Sequence, residues 1–280
     1  MKIGVISDLN HTESPAYASY YYAVKNLHGD VALVQKKEDL RDIDILLCGN
    51  DHHAGHLQIW SDDNFTEEVN KKKIPFFVHT VEHIRSPSYP WNVDIQNKLK
   101  RYDTLNQRCW DIGDAKENNT KLARVLLSKN FQDFTSPINR IDGLVFVGKL
   151  YPNRVKTIEA LSKYIKVDVA PRSSLDYKSF LSYLSSYKYV LSPISNGVNG
   201  IPGRFYESLV IGSIPVQEVF SDTLDHYTAE ASIPGCVFFE TAEECLDKLN
   251  QHAGTIPDKK MFLEEELEEF LNDFGVEVKL

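Results

Sequence analysis

From Tyr189 to Val219 the chain runs through a short apolar stretch, Tyr189-Val-Leu. A segment dense in Gly, Pro and Asn follows, then Arg204-Phe-Tyr-Glu-Ser-Leu-Val-Ile, then Gly212 and Ile214-Pro-Val. That order admits few folds. An apolar run of this length after a polar helix reads as a buried parallel strand. Ser192 to Gly203 has the composition of a loop. Pro202 stands just ahead of the next segment and Gly212 closes it, which are the start and stop signals of a helix. Ile214-Pro-Val is then the following strand. Strand, loop, helix and strand in this order predict a parallel α/β sheet with right-handed crossovers.

A Gly-rich loop that leads into a helix N-terminus is an anion site, because unpaired N–H groups and the helix dipole favour negative charge there. Arg204 lies in the first turn, where a cation opposes the dipole, so an anion in front of it is expected. Glu207 follows three residues later on the same face. A carboxylate beside a phosphate site can accept both hydrogen bonds of a ribose diol. Together these residues point to a nucleoside diphosphate. The competing reading is an ordinary strand–helix turn with a surface Arg–Glu pair.

The stretch Arg204-Phe-Tyr-Glu-Ser-Leu-Val-Ile-Gly-Ser-Ile-Pro-Val resembles the signature of GT-B glycosyltransferases, especially exostosin-like and CgeB-like ones. Val145-Phe-Val-Gly-Lys-Leu-Tyr-Pro-Asn-Arg154 is similar to the strand, Gly turn and Arg that open the C-terminal domain of that fold. The resemblance covers residues 144 to about 250. It implies two Rossmann-like domains facing across a cleft, with a C-terminal helix crossing back to the first. It further implies a nucleotide-sugar donor, a UDP-sugar by default, with Arg204 on the pyrophosphate and Glu207 on the ribose. The donor set it suggests is Lys149, Arg154, Asn196, Gly197, Asn199, Gly200, Arg204, Phe205 and Glu207. Protein cations would take the place of a required metal. The acceptor implied is a hydroxyl of a glycan or lipid-linked saccharide; hydroxymethylated bases of DNA are the alternative, since viral DNA-modifying enzymes share the fold. Retaining members often carry two Glu eight residues apart, and here Asn199 stands eight before Glu207. The stereochemical outcome is therefore open.

The 280 residues suit two compact domains. The expected division is 1–135 for the acceptor side, 136–257 for the donor side and 258–280 for the returning helix. Hydrophobic content of 42% and charged content of 25% are those of a globular protein. No apolar run approaches the length of a membrane span, and Met1-Lys-Ile-Gly-Val-Ile-Ser-Asp8 reads as a strand rather than a leader. Four Cys without metal spacing fit a reducing, cytoplasmic setting. A formal charge of −9 weighs against a nucleic-acid partner.

Strands are expected at 2–6, 31–34, 43–48 and 74–79, with polar residues gathered after their C-terminal ends, where ligands collect in such sheets. Asp8, His79 and Glu82 are therefore the candidate catalytic residues, one of them acting as base toward the acceptor hydroxyl. His11, Glu13 and His83 are rivals, and loop polarity or helix capping is the structural reading of all of them. The loop at 86–91 is a candidate acceptor lip. Asp51-His-His-Ala-Gly-His56 could ligate a metal, as in a phosphohydrolase that uses Asp8, Asp51, His52 and His53. A nucleotide-sugar epimerase and a nucleotide-binding module without turnover complete the alternatives. A helix is expected at 115–129, and a last one over 258–274. The last helix would bury Leu263, Leu267, Phe270, Leu271 and Phe274 and keep Glu264, Glu265, Glu266, Glu268 and Glu269 wet.

Overall fold

The computed structural model describes residues 1–6, 15–49, 58–80, 97–131, 139–170, 176–194, 198–273 and 275–278, with backbone only at 15–19, 58, 79 and 80. The chain divides into two units, Met1–Asn130 with Phe262–Leu280, and Phe131–Met261.

The first unit is a six-stranded parallel sheet. Its strands are β1 (Ile3–Ile6), β2 (Val31–Leu33), β3 (Ile45–Cys48), β4 (Phe76–Thr80), β5 (Leu105–Cys109) and β6 (Lys121–Leu122), ordered β2-β1-β3-β4-β5-β6. β1 and β3 are buried along their whole length, as strands covered on both faces must be. The main helices are α1 (Pro15–Leu27), α2 (Asp63–Lys72) and α3 (Ile112–Asn118). Asp62 and Asp111 cap α2 and α3 by accepting from backbone N–H groups of their first turns. The expected helix at 115–129 is replaced by α3, which stops where Asn119 takes the left-handed conformation of a C-cap. The chain beyond it is extended and supplies β6.

The terminal helix, Leu263–Asp273, belongs to this unit and lies against α1. Phe270 stacks on Phe77 of β4 with centroids 3.8 Å apart. Leu263, Leu267, Phe270 and Leu271 are buried; Phe274 lies outside the described residues. Two of the expected wet carboxylates are not wet. Glu264 is 1% exposed and Glu266 is 7% exposed. Glu264 accepts from Asn26 Nδ2, Ser128 Oγ and Lys129 N at 2.7–3.0 Å, and Glu266 pairs with buried Arg108 at 3.3 Å. These partners come from distant parts of the unit, so helical periodicity alone could not disclose them.

The second unit is a five-stranded parallel sheet. Its strands are β7 (Ile141–Val147), β8 (Val167–Ala170), β9 (Tyr187–Ser192), β10 (Ile214–Glu218) and β11 (Val237–Phe239), ordered β11-β10-β9-β7-β8. Helices α4 (Pro152–Ser162), α5 (Tyr177–Ser185) and α6 (Gly203–Val210) follow β7, β8 and β9. Two single turns, α7 (Thr223–His226) and α8 (Thr228–Ala231), precede β11, and α9 (Ala242–Gln251) follows it. Side chains alternate across the sheet. Leu144, Phe146, Leu191, Val216 and Phe239 pack with Ile158 and Leu161 of α4 and Cys245 of α9. Phe238 points the other way and meets Phe205 of α6. Arg140 donates to the carbonyls of Ile211 and Gly212. It thereby places a cation at the C-terminus of α6, the end where the dipole favours one.

The strand order reverses at β7. The chain goes outward to β8, then crosses back to β9 on the other side. The crevice between β7 and β9 is therefore the switch point of this sheet, where open α/β folds bind ligands.

Candidate functional site

Both sequence segments singled out for anion chemistry leave the C-terminal ends of the two switch-point strands. The turn after β7 carries Gly148, Lys149 and Arg154. The segment after β9 leads to Arg204 and Glu207 on α6. The register between the strands, Val145 opposite Val190, sets the two ends side by side.

Arg204 reaches back across this junction. Its Nη2 donates to the Val147 carbonyl at 2.8 Å, and its Nη1 donates to Glu207 Oε2. Its guanidinium lies 4.2 Å from the centroid of Phe180 of α5, a cation–π contact in a mostly desolvated setting. Two of its five N–H groups are used in this way, which leaves donors for an anion at the switch point. Glu207 is 9% exposed. Its Oε1 accepts from the buried Tyr177 hydroxyl at 2.9 Å. A ribose diol at Glu207 would share oxygens that already have protein donors.

Arg154 is fixed on the same turn from the other side. Its Nη1 donates to the Lys149 carbonyl at 3.1 Å, and its guanidinium sits 5.1 Å from the Tyr151 ring and 5.8 Å from Phe146. Gly148 permits this closeness. A Cβ there would lie 3.1 Å from the Phe146 ring and 3.7 Å from Arg154 Nη1. Two guanidiniums thus converge on carbonyls two residues apart. Lys149 is exposed, with its ammonium 5.1 Å from the Tyr151 centroid.

Neither α4 nor α6 has a side-chain cap. Tyr151 and Pro202 occupy their N-cap positions and supply no capping hydrogen bond. The α2, α3, α5 and α9 helices are capped by Asp62, Asp111, Asp176 and Thr241. The N–H groups at the starts of α4 and α6 are oriented as an anion requires.

The remaining expected residues divide. Asn199 is tied to the turn after β10: its Nδ2 donates to Asp222 at 2.8 Å and its Oδ1 accepts from Thr223 at 2.6 Å. Gly200 is buried. Phe205 is fully buried between Tyr206 and Phe238, so its ring serves the core. His79 lies in β4 opposite Arg108 of β5. Asp8, Glu82, Asn196 and Gly197 lie outside the described residues, as do His11, Glu13, Asp51, His52, His53, His56, His83 and the loop at 86–91. Among the described residues no group of three or more His, Cys, Asp or Glu side chains is arranged to hold a metal ion.

One residue of the site carried no motif. Glu218 ends β10 and accepts from the Ile194 N–H and the Thr157 hydroxyl, each at 2.9 Å. Asn153 Nδ2 donates to the Ile194 carbonyl at 2.7 Å. Both backbone groups of Ile194 are therefore held where the chain leaves β9. Burial pushes the Glu218 carboxyl above the usual range, against these two hydrogen bonds and the positive field of Arg154 and Lys156. The available signal was positional: Gln217-Glu218 is a polar pair closing an otherwise buried strand.

No family model matches the chain, and no curated protein matches it. Among solved structures it is similar to an alpha1,3-fucosyltransferase, at 13% identity and a TM-score of 0.46, over 100% of this chain and 90% of the other. It is also similar to two structures described as two-component system response regulator/GGDEF domain proteins. Each is 12% identical with a TM-score of 0.29, over 90% of this chain and 97% of the other. Likenesses at these scores leave function to be argued from the residues.

Proposed function

We propose that this chain is a glycosyltransferase that moves a sugar from a nucleoside-diphosphate sugar to a hydroxyl acceptor, with the donor on the second unit. The observation that carries the reading is the convergence of Arg204 and Arg154 on the Val147–Lys149 turn at the switch point. In sugar transfer the bond from the anomeric carbon to the diphosphate breaks, and negative charge grows on the departing phosphate. Fixed cations and uncapped helix N–H groups stabilise that charge without reorganising. Glu207, immobilised by Tyr177 and Arg204, is the acceptor for the ribose hydroxyls. Glu218 and Asn153 hold Ile194, which fixes the root of the Gly-rich segment. In this reading the fold is of GT-B type, the donor is a UDP-sugar by default, and the acceptor is a glycan or lipid-linked saccharide. The base belongs to the first unit, among Asp8, His79 and Glu82.

The test is a thermal-shift panel of UDP, GDP, ADP, CMP and inorganic pyrophosphate, followed by transfer assays with the sugar forms of whatever binds. At least one nucleoside diphosphate is expected to raise the melting temperature in a concentration-dependent way. Glu207→Gln is expected to weaken it more than it weakens inorganic pyrophosphate, because only the nucleotide carries a ribose. No binding by any nucleotide at millimolar concentration would overturn the proposal. Interconversion of a donor sugar without any acceptor would replace it with an epimerase.

A further inference from the structure

The first unit contains a polar cavity of about 450 Å³ at the other end of its sheet from the strand C-termini. The short β6 creates it. β6 pairs only with Arg108 and Cys109 of the five residues in β5. Leu105, Asn106 and Gln107 therefore border the cavity instead of a neighbouring strand, and Asn118, Asn119 and Thr120 form the facing wall. The volume lies within the roughly 300–1,000 Å³ of small-molecule sites.

The lining defines the kind of ligand. Half of its side chains are amides or a hydroxyl, which both donate and accept. The charges of the lining and its rim match in number: Lys121 meets Glu269 at 2.7 Å, Arg108 meets Glu266 and Glu269 at 3.3 and 3.5 Å, and Lys100 lines the cavity together with Asp273. Asn118 and Asn119 stand at the C-terminus of α3, where exposed carbonyls and the dipole oppose an anion. Thr120 Oγ1 is buried and has no hydrogen-bond partner among the described residues. Leu105 supplies one apolar wall. A site with many two-way hydrogen-bonding groups, balanced charge and a single apolar wall suits a ring with hydroxyls on its edge and C–H groups on its face.

We infer that this cavity binds a neutral saccharide, separately from the donor site of the second unit. The inference does not depend on that unit transferring a sugar. It is tested by saturation-transfer NMR and calorimetry on the full chain, with lactose, maltose, cellobiose and chitobiose as probes and inorganic phosphate as the anionic control. At least one saccharide is expected to bind. Asn106→Ala, at an exposed position on the β5 edge, is expected to weaken binding five-fold or more, and Asn106→Trp, which fills the cavity, to abolish it. Neither should change nucleoside diphosphate affinity. Absence of binding by all four saccharides would overturn the inference. So would saccharide binding unchanged in both Asn106 variants that retain the wild-type melting temperature. Binding of phosphate in preference to every saccharide would overturn the assigned ligand class.

Discussion

Arg204 joins three parts of the second unit: the end of β7 through the Val147 carbonyl, the body of α6 through Glu207, and α5 through the Phe180 ring. Its removal therefore has two consequences that must be separated. Arg204→Ala leaves Glu207 buried with Tyr177 as its remaining hydrogen-bond partner, which costs about 3 kcal/mol of stability. This stability cost is not visible in the sequence, because Tyr177 and Phe180 lie on a different helix and no local pattern announces them. The double variant Arg204→Ala/Glu207→Leu removes the orphaned charge and is expected to recover most of the lost melting temperature. Its nucleoside diphosphate affinity should remain at least ten-fold below wild type. Arg204→Lys keeps the charge but not the fork that meets a carbonyl and a carboxylate together, so intermediate affinity is expected. Wild-type affinity in the double variant would make Arg204 structural only. Arg204 and Glu207 were singled out by their spacing on one helix face and Arg154 by the resemblance at 145–154, and the structure sets Arg154 and Arg204 on the same turn. The role of Phe205 was not legible: the helix turns its ring, like that of Tyr206, into the core.

Among the elements, the buried strands were the most legible, because near-continuous apolar runs such as Ile45-Leu-Leu-Cys have few other uses. β5, with the sequence Leu-Asn-Gln-Arg-Cys, carries no such signal and owes its conformation to β4 on one side and β6 on the other. The terminal helix was legible in its apolar stripe and illegible in its carboxylates, since burial of Glu264 and Glu266 depends on partners supplied from α1 through residue 129. Glu266 gives the helix a pH signature. Burial raises its carboxyl to about 7, although Arg108 and Arg124 favour the charged form. Its folded pKa is thus above its unfolded value, so the folded protein binds the proton more tightly. The group's contribution to stability rises as pH falls from about 7 toward the ordinary carboxylate range, and it is constant above that window. Lys121 and Glu269 also face the cluster, and the Glu269 carboxyl is held low by Lys121, outside the window. Between pH 8 and pH 5.5, wild type should therefore gain melting temperature relative to Glu266→Gln measured in the same buffers. A wild type that loses ground to the variant on acidification would reverse the assignment.

At the scale of the whole molecule, two parallel sheets are built on a chain whose net charge is −9. An acidic protein that binds a diphosphate needs local cations, and here two guanidiniums and two uncapped helix starts are gathered at one switch point. Guanidiniums are not removed by chelators, and their charge does not titrate in the working range. A divalent ion would neutralise the same oxygens, so the two solutions differ in one measurable way. If Arg154 and Arg204 neutralise the leaving diphosphate, sugar transfer in excess EDTA should stay within about two-fold of its value in magnesium. Arg154→Ala, by contrast, should lower turnover by one to two orders of magnitude. The loss should fall mainly on turnover, since charge on the leaving phosphate grows as the bond breaks. Transfer abolished by EDTA and restored by manganese or zinc would shift the charge-neutralising role away from the arginines. The residues to examine would then be Asp51, His52, His53 and His56, whose spacing is the one feature of the sequence that suits a metal.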